Sequence, residues 1–314
     1  MLSRRNVRIK VMQTVYAHTH DHEKTLERLE KTMMENINSF YRSFLYNLYI
    51  LAKTAEFVIQ DVQIRAGKHI PLAEDRFLSV QLFHNTIMQH LVVNERLYYE
   101  IRKEKLDNRI DEDYFRQFFQ ALKKTPEYQD YSKKENPLLP EDKEMIAFLY
   151  KKILYPNDNF QQHIEDVFPG WLDDKDAIYH SVMNFFEMIG PDQKSFLISR
   201  SKETKEEKEF AIHLLRNTLH HETELDLLIG PFLENWDKER LAMLDFILMK
   251  MAVCEMLYLP EIPVKVSMNE YIEIAKLYST PKSGEFINGI LDALMKKLKE
   301  EGKILKEGRG MLES

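Results

Sequence analysis

The side chains best suited to chemistry in this 314-residue chain are few and scattered. His18, His20 and His22 recur at every second residue, a spacing that spreads them around a helix instead of collecting them on one face. His220 and Glu224 share a helical face but lack a third ligand, so neither group predicts a metal centre. The single cysteine, Cys254, lies in the apolar run MKMAVCEML and reads as a buried thiol suited to a reducing compartment. No glycine-rich phosphate loop, HExxH, CxxC or GxSxG pattern occurs, and no set of acid, base and cofactor ligands can be assembled. The expectation is a protein without catalysis, cofactor or metal. What remains is cationic: Arg4, Arg5, Arg8 and Lys10 fall within the first 20 residues, which hold no Asp or Glu. Guanidinium forks of this kind pair with phosphate and stack on unpaired bases.

The elements that carry these residues read as helical almost throughout. The chain is 44% hydrophobic and 30% charged with 9 Gly and 11 Pro, a balance that excludes collagen-like and wholly disordered readings. No uninterrupted apolar stretch is long enough for a transmembrane span or a secretory leader, so a cytoplasmic protein is expected. The net charge of −7 divides unevenly into +4 for residues 1–20, −7 for 21–209 and −4 for 210–314. A local anion site is thus compatible with an acidic chain.

Apolar residues at steps of three and four predict a long helix over 37–62, with Phe44, Leu48 and Leu51 on its buried face, and a second over 76–106. Shorter helices are expected in DEDYFRQFFQAL, from Pro140 to about Tyr155, and on either side of Pro169-Gly170. A helix over 207–220 precedes one ending near Gly230-Pro231, and Leu241, Leu244, Leu248, Met251 and Met256 define the next. Ser267 stands three residues before Glu270, the capping-box spacing, and Ser283 is placed to cap a last helix faced by Phe286, Ile287, Ile290, Leu291, Leu294 and Leu298. The polar tail is expected to fray. The fold class is all-α.

Two segments carry a resemblance. SRRNVRIKVMQTVYAH resembles the arginine-rich opening helix of the NusB family of transcription antitermination factors, and IPVKVSMNEYIEIAKLYSTPKSGEFINGILDAL is similar to that family's closing signature. The resemblance implies a NusB-like helical bundle made from the first helix (1–20) and residues 206–300, with 21–205 as a helical insertion and 301–314 as a flexible tail. It implies RNA contact by Arg4, Arg5, Arg8 and Lys10, by Tyr16 as either a stacking platform or a core residue, and by Lys282 and Ser283. Ser267, Asn269 and Glu270 would form a structural corner, Phe286 a core plug, and Asn288 with Gly289 a turn of helix pressed against a neighbour. Glu285 stands where many members carry a base, and Lys250 replaces a usual arginine.

The function implied is non-catalytic. With NusE, also a small-subunit ribosomal protein, such a factor binds boxA-like single-stranded RNA and holds an antitermination complex on the transcription elongation complex during ribosomal RNA synthesis. No membrane partner is implied. The alternative is a helical scaffold for protein interaction with reduced or no RNA binding, favoured by Glu285 and Lys250 and opposed by the three arginines.

Overall fold

The computed structural model describes residues 3–21, 24–69, 79–190, 203–233, 242–280 and 282–312, and every regular element among them is helical. Leu241 and Pro281 lie outside the described residues, as do residues 76–78. The chain divides into two compact units, one of Asn38–Ser199 and one of Leu2–Ile37 with Arg200–Ser314, the first boundary falling within the long helix α2 (Leu26–Ala66). Residues 21–37 and the C-terminal tail therefore group with the C-terminal helices and not with the inserted segment.

The Asn38–Ser199 unit is a helical layer built on the later part of α2, where Phe40, Phe44, Leu48, Leu51, Ala55 and Val58 are buried at the expected spacing. Phe44 meets Phe185 edge-on at 6.1 Å, and Phe57 meets Phe119 at 6.2 Å. The single helix expected over 76–106 is instead three: α3 (Gln81–His84), α4 (Thr86–Val92) and α5 (Glu95–Lys103). Asparagine side chains make the breaks. Asn85 accepts from the backbone N–H of Ile87 at 2.9 Å, and Asn94 from that of Leu97 at 3.0 Å, so each opens a new helix inside an otherwise helical apolar pattern. The unit continues through α6 (Glu112–Lys123), α7 (Pro126–Tyr131), α8 (Leu139–Phe148, extended by a π-helical stretch to Leu154), α9 (Asp158–Val167) and α10 (Trp171–Met188). The break at Pro169-Gly170 falls between α9 and α10.

The other unit contains α1 (Arg4–His20), the start of α2, α11 (Glu203–His220), α12 (Glu222–Ile229), α13 (Met243–Tyr258), α14 (Val264–Tyr278) and α15 (Ser283–Glu300). Helix α13 is its centre, packing against α1, α11, α12, α14 and α15. From Ile247 to Met256 every residue of α13 is buried, the pattern of a helix surrounded on all sides. The same holds for α1 from Asn6 to Met12, which packs on α11, α13 and α14 and buries Val7, Val11 and Val15. A helix that reads as a cationic surface is thus mostly interior.

Cys254 is buried, and burial pushes its thiol up to about 12. The tail is docked where fraying is expected from its composition. Lys306 donates to the carbonyls of Glu255 and Leu259 at 3.1 and 3.0 Å, closing the C-terminal end of α13. Gly310 lies so close to the chain that a Cβ there would stand 2.0 Å from the Pro260 carbonyl oxygen.

Candidate nucleic-acid interface

Helix α1 begins at Ser3, whose hydroxyl accepts from the Asn6 N–H at 3.1 Å. Its first turn holds arginines and no acid, an arrangement the helix dipole disfavours. Carboxylates from other helices supply the missing negative charge. Arg8 forms a bidentate pair with Glu255 of α13 at 2.9 and 2.6 Å. Glu255 also accepts from Ser267 at 2.7 Å and from Tyr271 at 3.1 Å, so both oxygens of a fully buried carboxylate are engaged. Burial alone would lower the Arg8 pKa, but the Glu255 charge and hydrogen bonds raise it above its ordinary value. Arg8 is 1% exposed and cannot reach a phosphate, which corrects its reading as an RNA contact.

Arg5 pairs bidentately with Glu270 of α14 at 3.0 and 2.9 Å and remains partly exposed. Arg4 is exposed, its guanidinium 5.3 Å from the centre of the Phe210 ring. It lines an open cavity of about 400 Å³ together with Phe210, Tyr258 and the carboxylates Glu206, Glu209 and Glu261. Lys10 is buried and bonded to Gln13 at 3.1 Å, a second correction.

The other end of α1 differs. Tyr16 is 42% exposed, its ring edge-on to His20 at 4.8 Å, which resolves the choice between platform and core towards the surface. The Thr19 hydroxyl lies 3.3 Å from the Met243 sulfur, bringing this end to the start of α13. Two residues further on, Asp245 accepts from the Ser283 hydroxyl at 2.7 Å at the start of α15. Lys282, beside it, is exposed and has no ion pair among the described residues. Ser283 itself is 3% exposed and faces Asp245, so it supports the loop and is not a surface contact. Its hydroxyl does not cap α15; Lys282 occupies the N-cap position without a side-chain bond.

The structural residues also require correction. Helix α14 starts at Val264 after Pro263, so Ser267 lies within it, bonded to Glu255, while Glu270 holds Arg5 and not the Ser267 backbone. Asn269 and Asn288 are exposed, and Phe286 is only half-buried. A Cβ on Gly289 would meet nothing within 4 Å; the close approach is at Gly284, 3.1 Å from the Lys276 side chain. Lys250 is buried against Glu222 and Asp226 at 2.7 and 3.2 Å, so it adds nothing to a cationic surface. His221, not His220, meets Glu224, at 3.2 Å, and stacks on Tyr258. Glu255, which holds Arg8, and Asp245, which holds Ser283, were not singled out from the sequence. A lone acid in an apolar run such as AVCEML is the signal that could have found Glu255, because a buried carboxylate requires a partner.

Comparison with known proteins bears on the later part of the chain. Residues 183–296 match the model of the NusB family. The transcription antitermination protein NusB of Salinibacter ruber is 46% identical over 105 residues, 33% of this chain and 66% of that protein. The Chloroherpeton thalassium protein of the same name is 43% identical over 106 residues, covering 34% and 50%. That of Listeria monocytogenes is 42% identical over 86 residues, covering 27% and 67%. The solved structure of T. maritima NusB is 31% identical, covers 42% of this chain and 87% of its own, and aligns with a TM-score of 0.29. The chain thus spans about half to two thirds of the length of the curated relatives it matches.

Proposed function

Because the chain belongs to the NusB family, we propose that it acts without catalysis in transcription antitermination, as a cytoplasmic factor that binds boxA-like single-stranded RNA together with NusE during ribosomal RNA transcription. The observation that carries this reading is Lys282, exposed and without an ion pair among the described residues, with the exposed Tyr16 ring on α1 as a second accessible group. A tyrosine ring offers a base a stacking surface, and a free ammonium offers a phosphate a counter-charge. Arg4 and Arg5 are the accessible arginines, and both stand beside carboxylates. So small a free cationic surface gives weak, salt-sensitive binding alone, which is the physical reason for a protein partner to complete the RNA site.

The test is titration of boxA-like RNA, and of its scrambled sequence, with and without NusE at two salt concentrations. Lys282→Ala should lower the magnitude of the salt slope by about 0.7, the value for one lost phosphate contact on a single strand. Equal binding of the two RNAs, with the partner present, would reject boxA recognition. A second reading, a protein scaffold with little RNA affinity, is favoured by one observation: Arg8 is consumed inside the fold and Arg5 is held by Glu270. It predicts partner binding with no RNA dependence.

A further inference from the structure

The buried carboxylate of Asp245 sits where two helices begin. It occupies the first turn of α13, and it receives the hydroxyl of Ser283, the first residue of α15. Only one of its oxygens is used: Oδ1 is buried with no hydrogen-bond partner among the described residues, and the residue is 5% exposed. A buried carboxylate with an idle oxygen is costly unless its charge is compensated, and here the positive ends of two helix dipoles provide that compensation.

The hydroxyls around it have a defined direction. Ser283 has one proton and gives it to Asp245. The contacts of Ser283 Oγ with Ser279 at 3.0 Å and Thr280 at 2.8 Å are therefore donated by those residues. The backbone agrees, since the Ser283 N–H donates to the Thr280 carbonyl at 2.9 Å. One carboxylate charge thus orients hydroxyls on both sides of the α14–α15 connection. Lys282 projects from that connection, at a helix N-terminus where a cation is electrostatically out of place.

We propose that Asp245 is a positioning residue that acts through Ser283 to fix the backbone bearing Lys282, and so sets the contribution of Lys282 to the RNA contact. The RNA part rests on the function proposed above; the part concerning the connection does not. Asp245 touches no RNA in this account.

The experiment has two arms on the full chain. In the free protein, amide hydrogen exchange over residues 282–286 is compared for wild type, Ser283→Ala, Ser283→Thr and Asp245→Asn, with the thermal midpoint recorded for each. Faster exchange confined to this segment in Ser283→Ala, restored in Ser283→Thr, is the expected result; unchanged exchange overturns the proposal. In the second arm, boxA-like RNA is titrated with NusE present. Ser283→Ala and Lys282→Ala should each weaken binding about threefold to tenfold, and the double variant should be no weaker than Lys282→Ala alone, as for residues acting through one contact. Losses that multiply would reduce Ser283 and Asp245 to general stabilisers and overturn the positioning role. If wild type binds no RNA, the proposed function fails, while the exchange arm still decides whether Asp245 and Ser283 hold the connection.

Discussion

The two ends of α1 hold similar resources and use them differently. At the arginine end, carboxylates from α11, α13, α14 and the α13–α14 loop surround every cation: Glu255 on Arg8, Glu270 on Arg5, and Glu206, Glu209 and Glu261 around Arg4. Towards the tyrosine end, about 18 Å away by helical rise, Thr19 meets the start of α13, where the Asp245 carboxylate is buried under Ser283 and the neighbouring Lys282 has no ion pair among the described residues. Counting charge along one helix therefore misjudges where a polyanion can bind. The net +4 of the first 20 residues is largely answered by acids 200 or more residues distant in sequence, and a single lysine in a loop is more available than a row of arginines.

The largest effect expected is at the arginine end. Arg8→Ala strands the buried Glu255 carboxylate and should cost about 3–5 kcal/mol in urea denaturation, the cost of breaking a buried pair by removing one partner. A loss near zero, accompanied by weaker RNA binding, would return Arg8 to the surface and erase the contrast between the ends. Tyr16→Ala should behave in the opposite way. Its stability should stay within about 0.5 kcal/mol of wild type, as for most surface substitutions. RNA binding should weaken by about 1–3 kcal/mol if a base stacks on the ring. Arg5→Ala removes a partly exposed bidentate pair and should cost about 1 kcal/mol, near the upper end for surface pairs. An RNA effect from Arg5 equal to that from Tyr16 would extend the site along the whole helix.

The all-α class, the buried face of α2, the break at Pro169-Gly170 and the stripe on α15 were legible because each is a local pattern of three- and four-residue steps or a backbone restriction. The splitting of 76–106 was not, since Asn85 and Asn94 interrupt a helix by side-chain bonds to the backbone while leaving the apolar spacing intact. The site was half-legible. The role proposed for Tyr16 and Lys282 rests on residue type read from the sequence and on exposure that the structure supplies, whereas Arg8 depends on a carboxylate 247 positions away that no local spacing announces. Ser267 and Glu270 show the same limit: their capping spacing is real, but a proline three residues past the preceding loop's first proline starts the helix earlier and frees both side chains for tertiary partners.

The smallest effect concerns the tail that closes the arginine end. Burial pushes the Lys306 ammonium down to about 8, with the Glu255 carboxylate opposing. In the unfolded chain a lysine titrates near about 10.4, so between these values the unfolded state binds more protons than the folded one. Stability should therefore rise with pH across that window. The contribution is complete above the unfolded pKa and lost as pH falls through about 8. Lys306→Met removes the titrating group, so the difference in unfolding free energy between wild type and variant should shift in favour of wild type from pH 7 to pH 10. Gly310→Ala provides the companion measurement: its new Cβ cannot fit against the Pro260 carbonyl, so the tail should detach and become sensitive to limited proteolysis, and the pH dependence due to Lys306 should disappear with it. A wild-type-minus-variant difference that is flat from pH 7 to 10, with the tail still protected, would mean that Lys306 keeps its proton in solvent and that α13 ends without this clasp.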